Sequence, residues 1–163
     1  MSTQTGIQAN DELREFFGKC REGKARSKFR LVKVIIVNEE LTLDEAKETK
    51  GSWKEDWDGF VLPSIDDNEP CYLLYRMDEK DGETYKWLMI SWSPDSASIR
   101  NKMLYASTKA TLKKEFGGGQ ILDDLYGNVR VSAYCLLNCL LLLVYLLDCA
   151  FNVKAPYLLS DEW

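Results

Sequence analysis

The sequence predicts an α/β fold: a central mixed, mostly antiparallel sheet of about five strands flanked by helices. Three observations carry that expectation. Phe29–Val37 (FRLVKVIIV) is dense in β-branched residues, as a central strand is. Residues 70–77 (PCYLLYRM) and 85–93 (YKWLMISWS) are two further apolar runs, joined by DEKDGE, whose Asp81-Gly82 pair marks a hairpin loop. Residues 92–119 then hold a long helical pattern, with Ser93, Pro94, Asp95 and Ser96 as start signals and Gly117, Gly118 and Gly119 as the stop.

The remaining elements follow in order. Asn10 or Asp11 can cap a short helix through Glu12, Leu13, Phe16 and Phe17, with Gly23 in the loop beyond it. After the first strand, Glu39 and Glu40 make a turn into a second, shorter strand at 41–43. The run 52–63 (SWKEDWDGFVLP) reads as a brief helix that carries Trp53, Trp57 and Phe60 inward and is stopped by Pro63. The hairpin strands and the long helix come next, and Gln120, Ile121 and Leu122 form one short final strand. Helix, two strands, helix, two strands, helix, strand is the order of a mixed sheet covered by helices. At 163 residues the length is that of one domain with room for a tail.

Read as a helix, residues 92–119 carry two separate apolar faces. At about 100° per residue, Leu104, Tyr105, Thr108, Leu112 and Phe116 share one side, a bulky stripe suited to a core. The opposite side carries Ile99, Met103, Ala106 and Ala110, edged by Lys102, Lys109, Lys113 and Lys114 and bordered by Arg100. Lys113 and Lys114 also suit the negative end of the helix dipole. The second face admits three readings. It can be buried with its lysines reaching out to water. It can dock on a protein partner, small residues allowing close approach and basic edges selecting an acidic surface. It can lie on a membrane, although the bulky apolar residues are then on the wrong side from the lysines.

Composition narrows the function classes. A net charge of −5 argues against general nucleic-acid binding. Its distribution is uneven: Lys19, Arg21, Lys24, Arg26, Lys28, Arg30 and Lys33 form a basic block, whereas 39–69 is mostly acidic. Solvated loop charge accounts for such a block, and contact with an acidic protein or an anionic lipid headgroup is the functional alternative. The chain has no histidine, which excludes histidine-dependent catalysis. Cys20, Cys71, Cys135, Cys139 and Cys149 are odd in number and contain no CxxC pair, so free thiols in a reducing compartment are expected. Cys135 and Cys139 share a helix face without further ligands, which is insufficient for a metal site. The three glycines at 117–119 follow a helix and lack a GK[ST] partner, so they do not form a phosphate loop. Asp56 with Asp58, and Asp66 with Asp67, are read as solvated loop residues rather than catalytic carboxylate pairs.

The helix sequence SIRNKMLYASTKATLKKEFGGG, the element order and four shorter matches resemble the actin-depolymerising factor homology family, most closely the first such domain of the twinfilins. The matches are QTGI at 4–7, FVLP at 60–63, PCYLLYR at 70–76 and WSPD at 92–95, and the resemblance spans 1–130. It implies a non-enzymatic actin-binding module of the cytoplasmic cytoskeleton that needs no cofactor. It further implies that the long helix enters the cleft between two actin subdomains with the N-terminal segment alongside. Monomeric actin, preferably in the ADP form, is the implied partner, and sequestration the implied activity. Carried over residue by residue, the contacts are Arg100 and Lys102 in IRNKM with Ile99 and Met103 beside them, then Lys113 and Lys114 in LKKEF, and Gly6 and Ile7. Ala106, Lys109 and Ala110 complete the same helix face. The resemblance also implies phosphoinositides as competing ligands of the basic rim, and cofilin-like severing as an alternative activity.

Beyond Arg130 the resemblance ends. The second homologous domain and the basic, capping-protein-binding tail of the family are not found in this sequence. Residues 131–163 are instead a divergent hydrophobic tail. Val131-Ser132 is what an in-frame splice donor (GTAAGT or GTGAGT) encodes, so a retained intron is the expected source. Residues 133–151 would extend about 29 Å as a helix, close to a bilayer core. Asn138 and Asp148 oppose a membrane anchor, an Asp costing about 2.5–3.5 kcal/mol at mid-membrane. Docking of 136–147 on the domain, or aggregation, is the favoured alternative.

Overall fold

The computed structural model of the chain describes residues 6–21 and 24–128. The tail expectations, and those for Cys135, Cys139 and Cys149, lie outside the described residues.

β2 (Phe29–Val37) and β3 (Glu40–Glu48) form a hairpin whose turn holds Asn38 at φ 50° and Glu39 at φ 62°. Both lie in the left-handed region that a two-residue type I′ turn demands. The turn is therefore one residue earlier than the sequence suggested, and β3 is longer than the expected 41–43. Apolar alternation ends at Leu43, but backbone pairing continues until Glu48 meets Phe29. Asp44, Glu45, Lys47 and Glu48 are tolerated because this part of β3 is an edge. Beyond it lies only β1 (Gln8–Ala9), which pairs in parallel at Gln8↔Glu40 and Ala9↔Leu41.

β4 (Cys71–Asp81) runs on through the first four residues of DEKDGE and β5 (Thr84–Trp92) starts directly after it, leaving Gly82 and Glu83 as the turn, with Gly82 at φ 63°. β6 (Ile121–Gly127) runs parallel to β5 and is longer than the expected 120–122. Asp123 and Asp124 interrupt its apolar pattern, which an edge strand permits. Among the described residues the sheet has six strands, in the order β1-β3-β2-β4-β5-β6, rather than about five. The additional strand is β1, too short to leave a periodic signal. Inner pairs are antiparallel and the two outer pairs parallel.

Helices cover both sheet faces, so the inner strands alternate between two apolar environments rather than between core and water. On β4, Tyr72 and Leu74 face the core under α1 (Asp11–Arg21) and α3 (Ile99–Phe116). Cys71, Leu73, Tyr75 and Met77 face the core under α2 (Trp53–Ser64). Asn10 caps α1, its Oδ1 accepting from the Leu13 N–H at 2.9 Å. α2 opens with a capping box between Ser52 and Glu55. Trp53, Trp57 and Phe60 are buried as expected, but Pro63 lies within the last turn and the helix ends one residue beyond it.

Asp56 corrects the reading of a solvated acid. It is 4% exposed, accepts from Arg30 Nε at 3.0 Å, and also takes the N–H groups of Lys50 and Gly51. Arg30, assigned by sequence to the basic block, is itself buried and reaches Asp78 Oδ1 at 2.8 Å and the Gly51 carbonyl at 2.9 Å. Neighbouring Arg76 donates to the Phe29 carbonyl and lies 4.2 Å from the Tyr85 ring centroid. These groups tie the start of α2 to β2 and β4. Every lone pair so satisfied offsets part of the desolvation cost of burying the charges.

Candidate functional site

α3 starts later than the sequence signals at 93–96 suggested. Trp92 closes β5 and residues 93–98 are a loop, pinned where Trp92 Nε1 donates to the Asp66 carbonyl at 2.6 Å and the Ala97 N–H to the Pro94 carbonyl at 3.1 Å. Ser98 is the cap, its hydroxyl accepting from the Asn101 N–H at 3.2 Å. At the other end Gly117 stands at φ 106° and returns its N–H to the Lys113 carbonyl. A β-carbon there would lie 3.2 Å from Arg21 Nη1, so the position is restricted by both conformation and space.

Between these ends the helix presents the two faces that its periodicity implies. Tyr105, Thr108, Leu112 and Phe116 are buried against the sheet and α1, with Leu104 half-buried at the margin. Tyr105 fixes the rotation of the helix, because its hydroxyl accepts from the Ile36 N–H at 2.9 Å while its carbonyl accepts from the Tyr72 hydroxyl. That rotation leaves Ile99 and Met103 78% and 68% exposed, with Ala106 and Ala110 open on the same side. Among the described residues, nothing buries this face. An exposed row of large apolar and small residues on a rigid helix is an unfilled contact surface.

The charges around the ridge are not equivalent. Lys109 and Lys113 both pair with Asp124 on β6, Lys113 at 3.8 Å. Lys102 donates to the Asp95 carbonyl at 2.8 Å, which steers its ammonium toward the start of the helix. Arg100 and Lys114 are exposed, and among the described residues neither these two nor Lys102 has an ion-pair partner. The free positive charge is therefore concentrated at the two ends of the ridge.

The N-terminal candidates separate. Gly6 is exposed at φ 71°, whereas Ile7 is 4% exposed and packs in the core beside Ala9 and Leu13. Burial removes the Ile7 side chain from the contact surface, a consequence of the β1 pairing that sequence did not reveal. The basic block also dissolves into local pairs: Lys19 with Glu15, Arg26 with Glu83, Lys28 with Glu48, and Lys33 with Asp44. Arg21 instead donates to the Phe17 carbonyl at 3.3 Å. Tyr126, 59% exposed on β6, is an apolar surface residue that the sequence reading missed. Only strand register brings it toward α3.

Among the described residues there is no cluster of three or more metal-ligating side chains and no helix long and apolar enough to cross a membrane. Residues 6–127 match the family model of the cofilin/tropomyosin-type actin-binding proteins. Twinfilin of Aedes aegypti is 53% identical over 130 residues, covering 80% of this chain and 37% of its own length. The chain therefore spans little more than a third of that relative. The solved structure of Eh twinfilin superposes with a TM-score of 0.69 at 30% identity, covering 76% of this chain and 88% of its own. Streptomyces griseoflavus cofilin shares the fold, with a TM-score of 0.64 at 24% identity over 83% of this chain and 95% of its own.

Proposed function

Because the chain belongs to the cofilin/tropomyosin-type actin-binding protein family, we propose that it binds and sequesters monomeric actin through the outer face of α3. One observation carries the site assignment: Ile99, Met103, Ala106 and Ala110 form an apolar ridge that nothing in the domain covers among the described residues. Burying that ridge supplies apolar area, and Arg100, Lys102 and Lys114 supply orientation and association rate against an acidic partner. Gly6 lies at the exposed N-terminal approach. Lys109 and Lys113 contribute less, their charge being shared with Asp124. Preference for ADP-actin, and residence in the cytoplasm with the actin cytoskeleton, are parts of the same reading, supported by similarity to twinfilin over 130 residues.

Filament severing is disfavoured by the β4–β5 hairpin, where a second actin contact would need free basic residues. Lys86 pairs with Asp81, Arg26 with Glu83, and Lys80 lies over the Tyr85 ring. A phosphoinositide role is confined to the ends of the ridge, since the residues from Lys19 to Lys33 are largely paired. Phosphoinositides would then compete with actin for Arg100 and Lys114.

The test is a titration of labelled monomeric actin, in ADP and ATP forms, with the full chain and with an Arg100→Ala, Lys102→Ala variant. The variant should bind at least about 2 kcal/mol more weakly. Unchanged affinity with intact folding would overturn the site. Stoichiometric pelleting with shortened filaments would replace sequestration by severing, and binding to anionic vesicles without actin affinity would replace both by a lipid role.

A further inference from the structure

Beside the ridge lies a cleft of about 400 Å³ whose cause is legible in the strand register. Tyr72 on β4, Ser91 on β5 and Tyr126 on β6 are direct neighbours across the sheet. A small residue between two tyrosines leaves a hollow on the face beneath α3. Tyr105, Met103 and Ala106 of the helix wall it on the other side, and Ala106 is too small to fill it. The volume falls in the range of ordinary ligand sites, about 300–1,000 Å³.

Two polar features mark the hollow as a recognition site. Ser91 is 8% exposed and its Oγ has no hydrogen-bond partner among the described residues, an arrangement that natural interiors rarely leave in place. The neighbouring hydroxyls are already engaged, Tyr72 with the Tyr105 carbonyl and Tyr105 with the Ile36 N–H. The Ser91 hydroxyl is thus a free donor. Lys102 lines the same cleft, and one N–H donation to Asp95 leaves its ammonium two further donors. Aromatic walls, a free donor and a cation together fit a bulky apolar side chain that adjoins a carboxylate or carbonyl.

We propose that the cleft is a specificity pocket continuous with the α3 ridge, into which the actin monomer seated on that ridge inserts a bulky apolar side chain adjoining an acidic or carbonyl acceptor. This deepens the actin-binding reading and rests on it. Met103, Ala106, Lys102 and Lys109 belong to both the ridge and the cleft, so one partner can engage both without a gap. The acceptor takes the Ser91 hydrogen bond and the Lys102 charge, and the apolar group replaces water against Tyr105 and Tyr126.

Ser91→Ala and Tyr126→Ala in the full chain test the pocket without touching the ridge. Ser91→Ala removes a hydroxyl that is unbonded in the free chain, so its thermal midpoint should hold or rise. Its affinity for labelled monomeric actin should nevertheless fall about fivefold, the loss of one hydrogen bond. Tyr126→Ala should weaken binding similarly. Amide chemical shifts of the free chain with millimolar N-acetylphenylalanine, which carries the ring, carbonyl and carboxylate, should move at Ser91 and Tyr126. That ligand should compete with actin. Binding that depends on Arg100 and Lys102 but not on Ser91 or Tyr126 would overturn the pocket and leave the ridge reading intact. N-acetylphenylalanine that occupies the cleft without displacing actin would assign it to a free ligand and overturn the proposal. Absence of any actin binding by the unaltered chain would remove the ridge reading and the pocket together.

Discussion

Arg30 Nε on β2 donates to Asp56 Oδ2 on α2 at 3.0 Å, with the two side chains 1% and 5% exposed. The pair closes a circuit with Asp78, which accepts from Arg30 Nη1 and, through its other oxygen, from the Trp53 N–H at 2.9 Å. Two elements 26 residues apart are thereby locked at one point. Removing Asp56 leaves Arg30 with Asp78 as its remaining counter-charge and strips the Arg30 Nε, Lys50 and Gly51 N–H groups of their acceptor. Asp56→Ala should cost about 3–5 kcal/mol in urea unfolding. Asp58→Ala, exposed one turn face away, should stay within about 0.5 kcal/mol.

Asp78 makes stability depend on acidity. Burial pushes its carboxyl up, but the Trp53 N–H and the Arg30 guanidinium outweigh this and hold it below the usual carboxylate range. A folded pKa depressed below the unfolded value gives stability that is present above about pH 4 and lost as pH falls through the folded pKa. Equilibrium unfolding followed from pH 7 down to pH 2 should show that loss. Asp78→Asn should be less stable near neutrality and show a shallower acid dependence, and an unchanged slope would contradict the assignment.

Asp124 should act as a brake on association. It neutralises Lys109 and Lys113 beside the ridge. Asp124→Asn frees both ammonium groups, so the association rate with actin should rise at low ionic strength and converge on the unaltered rate as salt screens the field. Stopped-flow mixing at two salt concentrations reads this directly. By the same reasoning, Lys109→Ala should slow association less than Arg100→Ala.

Burial raises the thiols of Cys20 and Cys71, each to about 12, with Arg21 and Lys33 respectively opposing the rise only weakly. The thiolate is the reactive form. Peptide-resolved alkylation of the native chain at pH 8 should therefore leave both unmodified, and denaturant should release them. Rapid labelling of either in the native state would show that the core opens at that residue.

Much of the candidate site is legible in the sequence because a helix obeys a fixed period. Ile99, Met103, Ala106 and Ala110 fall on one side at 100° per residue whatever they pack against, and the structure leaves that side open. The β-branched run Phe29–Val37 likewise coincides with its strand end to end, since such a run has few alternatives. β3 and β6 extend beyond their apolar patterns for the complementary reason. Edge strands are held by backbone hydrogen bonds and keep charged side chains, so apolar pattern underestimates them.

The amino-acid sequence alone determined the class of fold, the two-faced helix and the lack of any histidine for catalysis, because periodicity and composition are local or global properties of the chain. Tertiary structure decided which charges are free. Arg30 belongs by sequence to the same basic block as Lys28, yet one is sealed against Asp56 and the other stands at the surface beside Glu48. It also decided the hollow between Tyr72 and Tyr126, residues 54 positions apart whose neighbourhood exists only through strand register. Long-range pairing sets both outcomes, since a charge or a gap is defined by the groups that the fold brings against it rather than by those adjacent in the chain.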